Sequence, residues 1–213
     1  MSDWRPHVVQ QGEHVRKLAF QRGTRPEEVW SHAKNAELAA KRKSMDLLAP
    51  GDLLHLPTTR RPGIALRAGV ENKYQAAIPT VPVHIQIDSR GPSLASQPFE
   101  LRGAYGGGEP LRGTAGPNGE IDLELPVHVR EVVVAFPDLG LTTPVRLGDL
   151  DPVGERSGVV ARLRNLGFLA PGGTPSEDAL ATAIRAFQAD RGMTPSGKLD
   201  QDLHRALEEV HGV

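Results

Sequence analysis

The stretch Thr174-Pro-Ser-Glu-Asp-Ala-Leu-Ala-Thr-Ala-Ile-Arg-Ala-Phe-Gln-Ala-Asp-Arg-Gly192 decides how the C-terminal part of the chain folds. Leu180, Ile184 and Phe187 stand at i, i+4 and i+7, one stripe of a helix. Thr174 and Glu177 have the T-x-x-E spacing in which a hydroxyl and a carboxylate each satisfy a backbone N–H that the helix leaves free. Gly192 supplies a left-handed stop. The same period recurs on both sides. Val159, Leu163 and Leu166 precede Gly167, and Leu203, Leu207 and Val210 follow Asp200, a further candidate cap. A single stripe this short cannot bury itself, so residues 151–213 are expected to pack three short amphipathic helices around one small core.

Upstream the period changes from helical to alternating. Val81, Val83, Ile85 and Ile87 fall on one face of a strand, and Pro82, His84, Gln86 and Asp88 on the other. Phe99–Leu101, Ile121–Leu125, Val132–Phe136 and Thr143–Leu147 continue the series. Turn signals at Ser89-Arg-Gly-Pro92, Gly106-Gly-Gly108, Gly116-Pro-Asn-Gly119 and Pro137-Asp-Leu-Gly140 separate them. Residues 64–147 are thus expected to form an antiparallel sandwich of the immunoglobulin or prealbumin-like kind, with about six or seven strands.

Residues 6–57 predict the order strand, helix, helix, strand. Val8-Val-Gln10 is a short strand ended by Gln11-Gly12, and Val15, Leu18 and Ala19 lie at helical spacing before Gly23. Thr24-Arg-Pro-Glu27 offers a second capping box, with proline in the first turn. Val29 and Trp30 lie on the apolar side of that helix, and Asn35 to Lys43 is a polar stretch. Pro50-Gly51 then turns the chain into Leu53-Leu-His-Leu56, a closing strand. The predicted fold class is multidomain α+β, with boundaries at 6–57, 64–147 and 151–213.

Composition narrows the function. Across 213 residues, 25 Lys plus Arg face 26 Asp plus Glu, so the net charge of -1 gives no pull toward nucleic acid. The balance is uneven: residues 1–75 carry 13 basic and 8 acidic side chains, residues 76–148 carry 5 and 8, and residues 149–213 carry 7 and 10. Distinct partners for the two ends are expected. The absence of cysteine removes disulfide frameworks, thiol nucleophiles and cysteine-ligated metals together. Apolar runs such as Val132-Val-Val-Ala-Phe136 fall far short of the roughly 20 residues that span a bilayer, so no membrane partner is expected. Met1-Ser-Asp-Trp-Arg-Pro-His7 has an acid beside its first charge and no apolar core, unlike a secretory signal, and predicts synthesis in the cytoplasm.

Three sets of residues resemble known families. Val8-Val-Gln-Gln-Gly-Glu13, Leu18-Ala19, Gly23, Trp30, Asn35, Leu48-Ala-Pro-Gly-Asp52 and Leu56-Pro57 resemble a LysM domain. That resemblance implies a glycan groove between the first turn and the loop before the last strand. Its candidate residues are Gly12, Glu13, His14, Trp30, Asn35, Ala49, Pro50 and Gly51. Val160 to Phe168, Thr182 to Met193 and Gly197-Lys-Leu-Asp200 resemble the three-helix peptidoglycan-binding domain appended to many cell-wall hydrolases. Here the implied surface residues are Arg164, Phe168, Arg185 and Gln188. The whole order, with Leu147-Gly-Asp-Leu-Asp-Pro-Val153 joining the second segment to the third, resembles proteins encoded beside the spikes of type VI secretion and related contractile injection systems. It implies partners in peptidoglycan or in spike and baseplate proteins, and delivery to the periplasm or a target cell by such an apparatus.

Catalytic patterns are missing from the sequence. The eight histidines, at 7, 14, 32, 55, 84, 128, 204 and 211, are scattered singly, without an H-E-x-x-H motif or close carboxylate spacing, so no metal site is expected. Glu120, Asp122 and Glu124 alternate with Ile121, Leu123 and Leu125, as on the solvent face of an edge hairpin. Ser31-His-Ala-Lys34 fits S-x-x-K but lacks its companion motifs, and Gly106-Gly-Gly108 lacks the Gly-Lys-Ser/Thr of a phosphate loop. Lys41-Arg-Lys43 reads as a solvated face, with wall phosphate or an acidic partner as the alternative. Trp30 suits either core or a partial anchor. The expectation is a binding or adaptor protein with no catalysis and no cofactor. The alternative is a wall-targeting effector hydrolase whose active site lies in the central segment.

Overall fold

The computed structural model of the protein describes residues 3–42, 44–58, 66–73, 78–87, 91–105 and 108–211. Lys43 of the basic stretch, Asp88 with the Ser89–Arg90 half of its turn, and Gly106–Gly107 lie outside the described residues. Helices and antiparallel sheets are both present, and buried side chains gather in three clusters along the chain, an α+β architecture of multidomain character.

The N-terminal cluster sits under a two-stranded sheet. Strand β1 (Trp4–Val8) pairs antiparallel with β2 (Leu53–Pro57), from Trp4 opposite Pro57 to Val8 opposite Leu53. Between them run α1 (Val15–Arg22), α2 (Pro26–Trp30), a 3-10 turn (Ala33–Asn35) and α3 (Ala36–Arg42). Val15, Leu18, Val29, Leu54 and Leu56 form the core. Three expectations change. The first strand lies earlier than Val8–Gln10, because β2 begins just after the Pro50-Gly51 turn and pairs back toward Trp4. Arg25, not Thr24, is the N-cap of α2: Pro26 sets the helix start one residue later, so the Thr24–Glu27 box does not form and the Thr24 hydroxyl donates to Glu28 at 2.9 Å. The polar stretch after Asn35 is helix α3.

The central cluster lies between two sheets. One holds β3 (Thr80–Gln86) and β6 (Glu120–Pro126), and the other has the order β5-β4-β7-β8. Their ranges are Pro98–Arg102 for β4, Leu111–Thr114 for β5, Glu131–Phe136 for β7 and Leu141–Arg146 for β8. Every pairing is antiparallel. Leu101, Ile121, Leu125, Val134 and Phe136 fill the interior. The 116–119 turn closes as its sequence predicts, with the Gly119 amide donating to the Gly116 carbonyl at 3.0 Å. Strand β5 is additional to the expected series.

Among the described residues, three strands with a neighbour on one side only carry a proline in mid-strand: Pro6 opposite His55 in β1, Pro82 opposite Glu124 in β3 and Pro144 opposite Val133 in β8. A ring nitrogen without hydrogen can give nothing to a ladder. Each of these residues therefore turns its nitrogen to the unpaired side.

The C-terminal cluster is the bundle of α4 (Arg156–Asn165), α5 (Glu177–Asp190) and α6 (Gln201–His211). Val159, Leu163, Leu180, Ile184, Phe187, Leu203 and Leu207 are its core, as the sequence spacing predicts. Asp200 caps α6 through the Leu203 amide at 2.9 Å. The cap of α5 is Ser176, whose hydroxyl accepts from Ala179 at 3.2 Å, so that helix starts two residues beyond the proposed T-x-x-E box allows. Among the described residues no helix is long and apolar enough to cross a membrane.

Candidate functional site

The first-turn wall of the N-terminal segment is built by internal contacts. Gly12 adopts φ +74°, and its carbonyl accepts from the largely buried Lys17 ammonium at 2.8 Å, which ties the turn to α1. Glu13 receives the Gln10 amide at 3.0 Å and lies 2.7 Å from His7 Nε2. Burial works to raise the Glu13 carboxyl, but the His7 and Gln10 hydrogen bonds and the His7 and Lys17 charges outweigh it and hold the group below its ordinary range. His14 is the N-cap residue of α1 without capping it, and its Nδ1 stands 3.5 Å from Asp46. Arg16 Nε donates to both Asp46 oxygens at 3.0 Å. Burial raises Asp46, whereas His14 and Arg16 bring it below its usual value.

The facing loop is divided. Ala49 is buried, while Pro50 and Gly51 are exposed and free to meet a ligand. Asn35 is not available: it is fully buried, donating to the Val29 carbonyl at 2.7 Å and the His55 carbonyl at 3.0 Å and accepting from the His55 amide at 2.7 Å. It joins α2 and the 3-10 turn to β2 and offers nothing to a sugar. Trp30 packs against the core with part of its surface open. A stacked pair that the sequence reading lacks lies nearby, Trp4 on His32 with ring centroids 3.7 Å apart. Pro50, Gly51 and the open part of Trp30 are therefore what the predicted groove still offers, since Gly12, Glu13 and His14 are held by their own neighbours.

On the C-terminal bundle, Gln188 is likewise structural. It is 2% exposed, donates to the Ser196 hydroxyl at 3.0 Å and accepts from the Gly197 amide at 2.9 Å, holding the loop before α6. Phe168 meets Phe187 edge-on at 5.5 Å within the core. Arg164 donates to the carbonyls of Ala170, Gly172 and Gly173 and so closes the loop after α4. Arg185 is the exposed member of the four and donates to the Thr182 hydroxyl of its own helix at 3.2 Å.

A polar junction that no motif signalled lies between the ends of the chain. Arg42 turns inward with its side chain 6% exposed, so at this position the solvated-face expectation for Lys41-Arg-Lys43 is corrected. Asp52 binds it through Nε at 2.7 Å and Nη2 at 2.8 Å, and Glu155 through Nη1 at 2.8 Å. The Asp52 hydrogen bond, followed by the opposing burial cost and the Glu155 contact, leaves the guanidinium pKa above its ordinary value. Nearby, Arg162 is 1% exposed and donates to the carbonyls of Asp151 at 2.8 Å and Gly158 at 3.1 Å. A cleft of about 1060 Å³ is lined by Gly12, His14 and Asp46, by residues of β3 and β8, and by Arg164, Asn165 and His211.

Histidine–carboxylate pairs do form, although the sequence spacing gives none. Besides His7–Glu13 and His14–Asp46, His84 Nδ1 lies 2.7 Å from Asp122 on the exposed face of β3 and β6. No group of three or more metal-ligating side chains occurs among the described residues.

Compared with known families, residues 155–207 match the model of the putative peptidoglycan binding domain, which covers α4, α5 and most of α6. No curated protein and no solved structure matches the chain.

Proposed function

We propose that the protein is a non-catalytic, modular cell-wall-binding or adaptor protein that acts with a type VI or related contractile secretion apparatus. The observation that carries the wall-binding part is the peptidoglycan-binding match over 155–207, which coincides with an intact three-helix core. The N-terminal segment takes the role of a LysM-like module in this reading. In its support, β1 and β2 flank the helices and pair antiparallel, with the Gly12 turn and the Pro50-Gly51 turn beside one another at the Val9–Gly51 and Val9–Asp52 hydrogen bonds. The contractile-apparatus association rests on the resemblance of the whole module order, and delivery by that apparatus to the periplasm or a target cell goes with it.

Recognition would use backbone and side-chain hydrogen bonds to wall sugars around Pro50 and Gly51, and the exposed side of α5 around Arg185 for stem peptide or protein. Retention on purified insoluble peptidoglycan at low salt is the expected result. A protein that stays entirely in the supernatant overturns wall binding. The rival hydrolase reading has one specific observation behind it, the exposed His84–Asp122 pair. Muropeptide chromatography after incubation with wall material decides between them, and the non-catalytic reading requires an unchanged profile.

A further inference from the structure

We infer that the N-terminal and C-terminal clusters are docked as one body through residues 148–155, with Glu155 as the latch. Glu155 occupies the N-cap position of α4, where a side chain ordinarily turns back onto the helix's free amides, yet it makes no capping bond. Its carboxylate reaches across the chain to Arg42 at 2.8 Å and stands 3.9 Å from Lys41. Arg42 is held ready for it. Asp52, itself 5% exposed, fixes two nitrogens of the guanidinium from within the N-terminal segment and leaves the third pointing outward.

A second set of contacts lies beside the latch. Gln11 Nε2 donates to Asp151 Oδ1 at 3.1 Å and to the Gly148 carbonyl at 3.4 Å. Gly148 adopts φ +81°, and a Cβ placed on it would come within 3.1 Å of the Gly12 α-carbon, so two backbones meet here with no side chain between them. Asp151 is in turn bound through its carbonyl by the buried Arg162 of α4. A continuous path therefore runs from the first turn through the connector into the C-terminal core. Isolated surface ion pairs contribute little, but a guanidinium this buried, shared between two carboxylates with good geometry, is of the kind that fixes orientation.

Segments joined by a polar connector ordinarily move relative to each other. The docked arrangement instead sets one fixed spacing between the Pro50-Gly51 loop and the α5 surface, so a ligand long enough to reach both meets a preformed pair of sites. It also commits the Gly12 side of the first turn to the protein's own connector.

The absence of native cysteine makes a direct test clean. Spin labels on Gln21→Cys in α1 and Ala186→Cys in α5, both exposed positions, report the distance between the two ends by pulsed electron resonance. A single narrow distribution is expected in the otherwise native full chain, and a broad one after Glu155→Ala with Gln11→Ala. Those changes leave the Arg42–Asp52 pair intact, and unchanged tryptophan fluorescence confirms that the N-terminal core is folded. A broad distribution without the substitutions, or a narrow one that persists with them, overturns the latch. The distance reads the same whether or not the protein binds peptidoglycan, so the two ideas stand or fall separately.

Discussion

Asn35 holds the backbone of His55 directly, giving a hydrogen to its carbonyl at 3.0 Å and taking one from its amide at 2.7 Å. Asn35→Ala leaves these two buried backbone groups unpaired and is expected to cost roughly 2–6 kcal/mol, each such group contributing about 1–3 kcal/mol. Both tryptophans of the chain lie in the N-terminal segment, so their fluorescence follows its unfolding separately. Urea titration should bring the fluorescence midpoint down. An unmoved fluorescence midpoint would remove the structural role assigned to this side chain.

At Gly158, close approach overrides helix propensity. A Cβ there would stand 2.1 Å from the Pro152 carbonyl oxygen and 2.6 Å from that of Asp151. Gly158→Ala gains about 1 kcal/mol of intrinsic helix preference. The connector must nevertheless shift off α4, with overpacking costs on the order of 1–3 kcal/mol and loss of the Arg162 contact. Lower, not higher, stability of the C-terminal bundle is expected in thermal unfolding.

Phe187 is fully buried against the edge of Phe168 and anchors the bundle. Phe187→Ala is expected to cost about 3–5 kcal/mol, enough to unfold a domain of this size. Retention on insoluble peptidoglycan should vanish while tryptophan fluorescence stays native. If retention survives with the bundle unfolded, the wall contact belongs elsewhere in the chain.

Acid should affect the two ends in different windows. Burial first, and then the nearby Arg162 charge, hold His211 below its ordinary value of 6.5. The unfolded chain therefore takes up this proton before the folded one, and stability that is full above 6.5 falls as pH drops below it. In the N-terminal segment, Glu13, Asp46 and Asp52 are depressed instead, so their contribution is full above the ordinary carboxylate values of 4.5 and 3.8 and is lost as pH falls below them. Urea midpoints at pH 7.5 and 5.5 should differ for the helical signal and hardly for tryptophan fluorescence. His211→Gln should flatten the helical difference.

The helices of the C-terminal bundle were legible because their apolar positions keep one period, and the bulk of the central strands because theirs alternate. Helix α3 is not, since Leu38 is its one large apolar side chain and a single residue has no period. The available signal was propensity: Ala36-Glu-Leu-Ala-Ala-Lys-Arg42 is made of strong helix formers. β5 is four residues with Gly113 inside it and carries almost no pattern. At the candidate site the Pro50-Gly51 turn is legible in the sequence, whereas the motifs put Asn35 and Gln188 on binding surfaces and the structure buries both. A polar residue in a motif looks alike whether it serves a ligand or the backbone. Arg42 and Glu155 lie far apart in the chain, and nothing local marks them as partners.

The mid-strand prolines bear on how the protein behaves in a crowd. Open sheets leave rims that a second copy can extend, and growth of that kind ends in insoluble stacks. Pro6, Pro82 and Pro144 each interrupt such a rim with a residue unable to pair. The molecule can thus keep small, open sheets without recruiting its own kind, and Pro82→Thr, harmless within the β3–β6 pair, should show its effect as turbidity at high concentration.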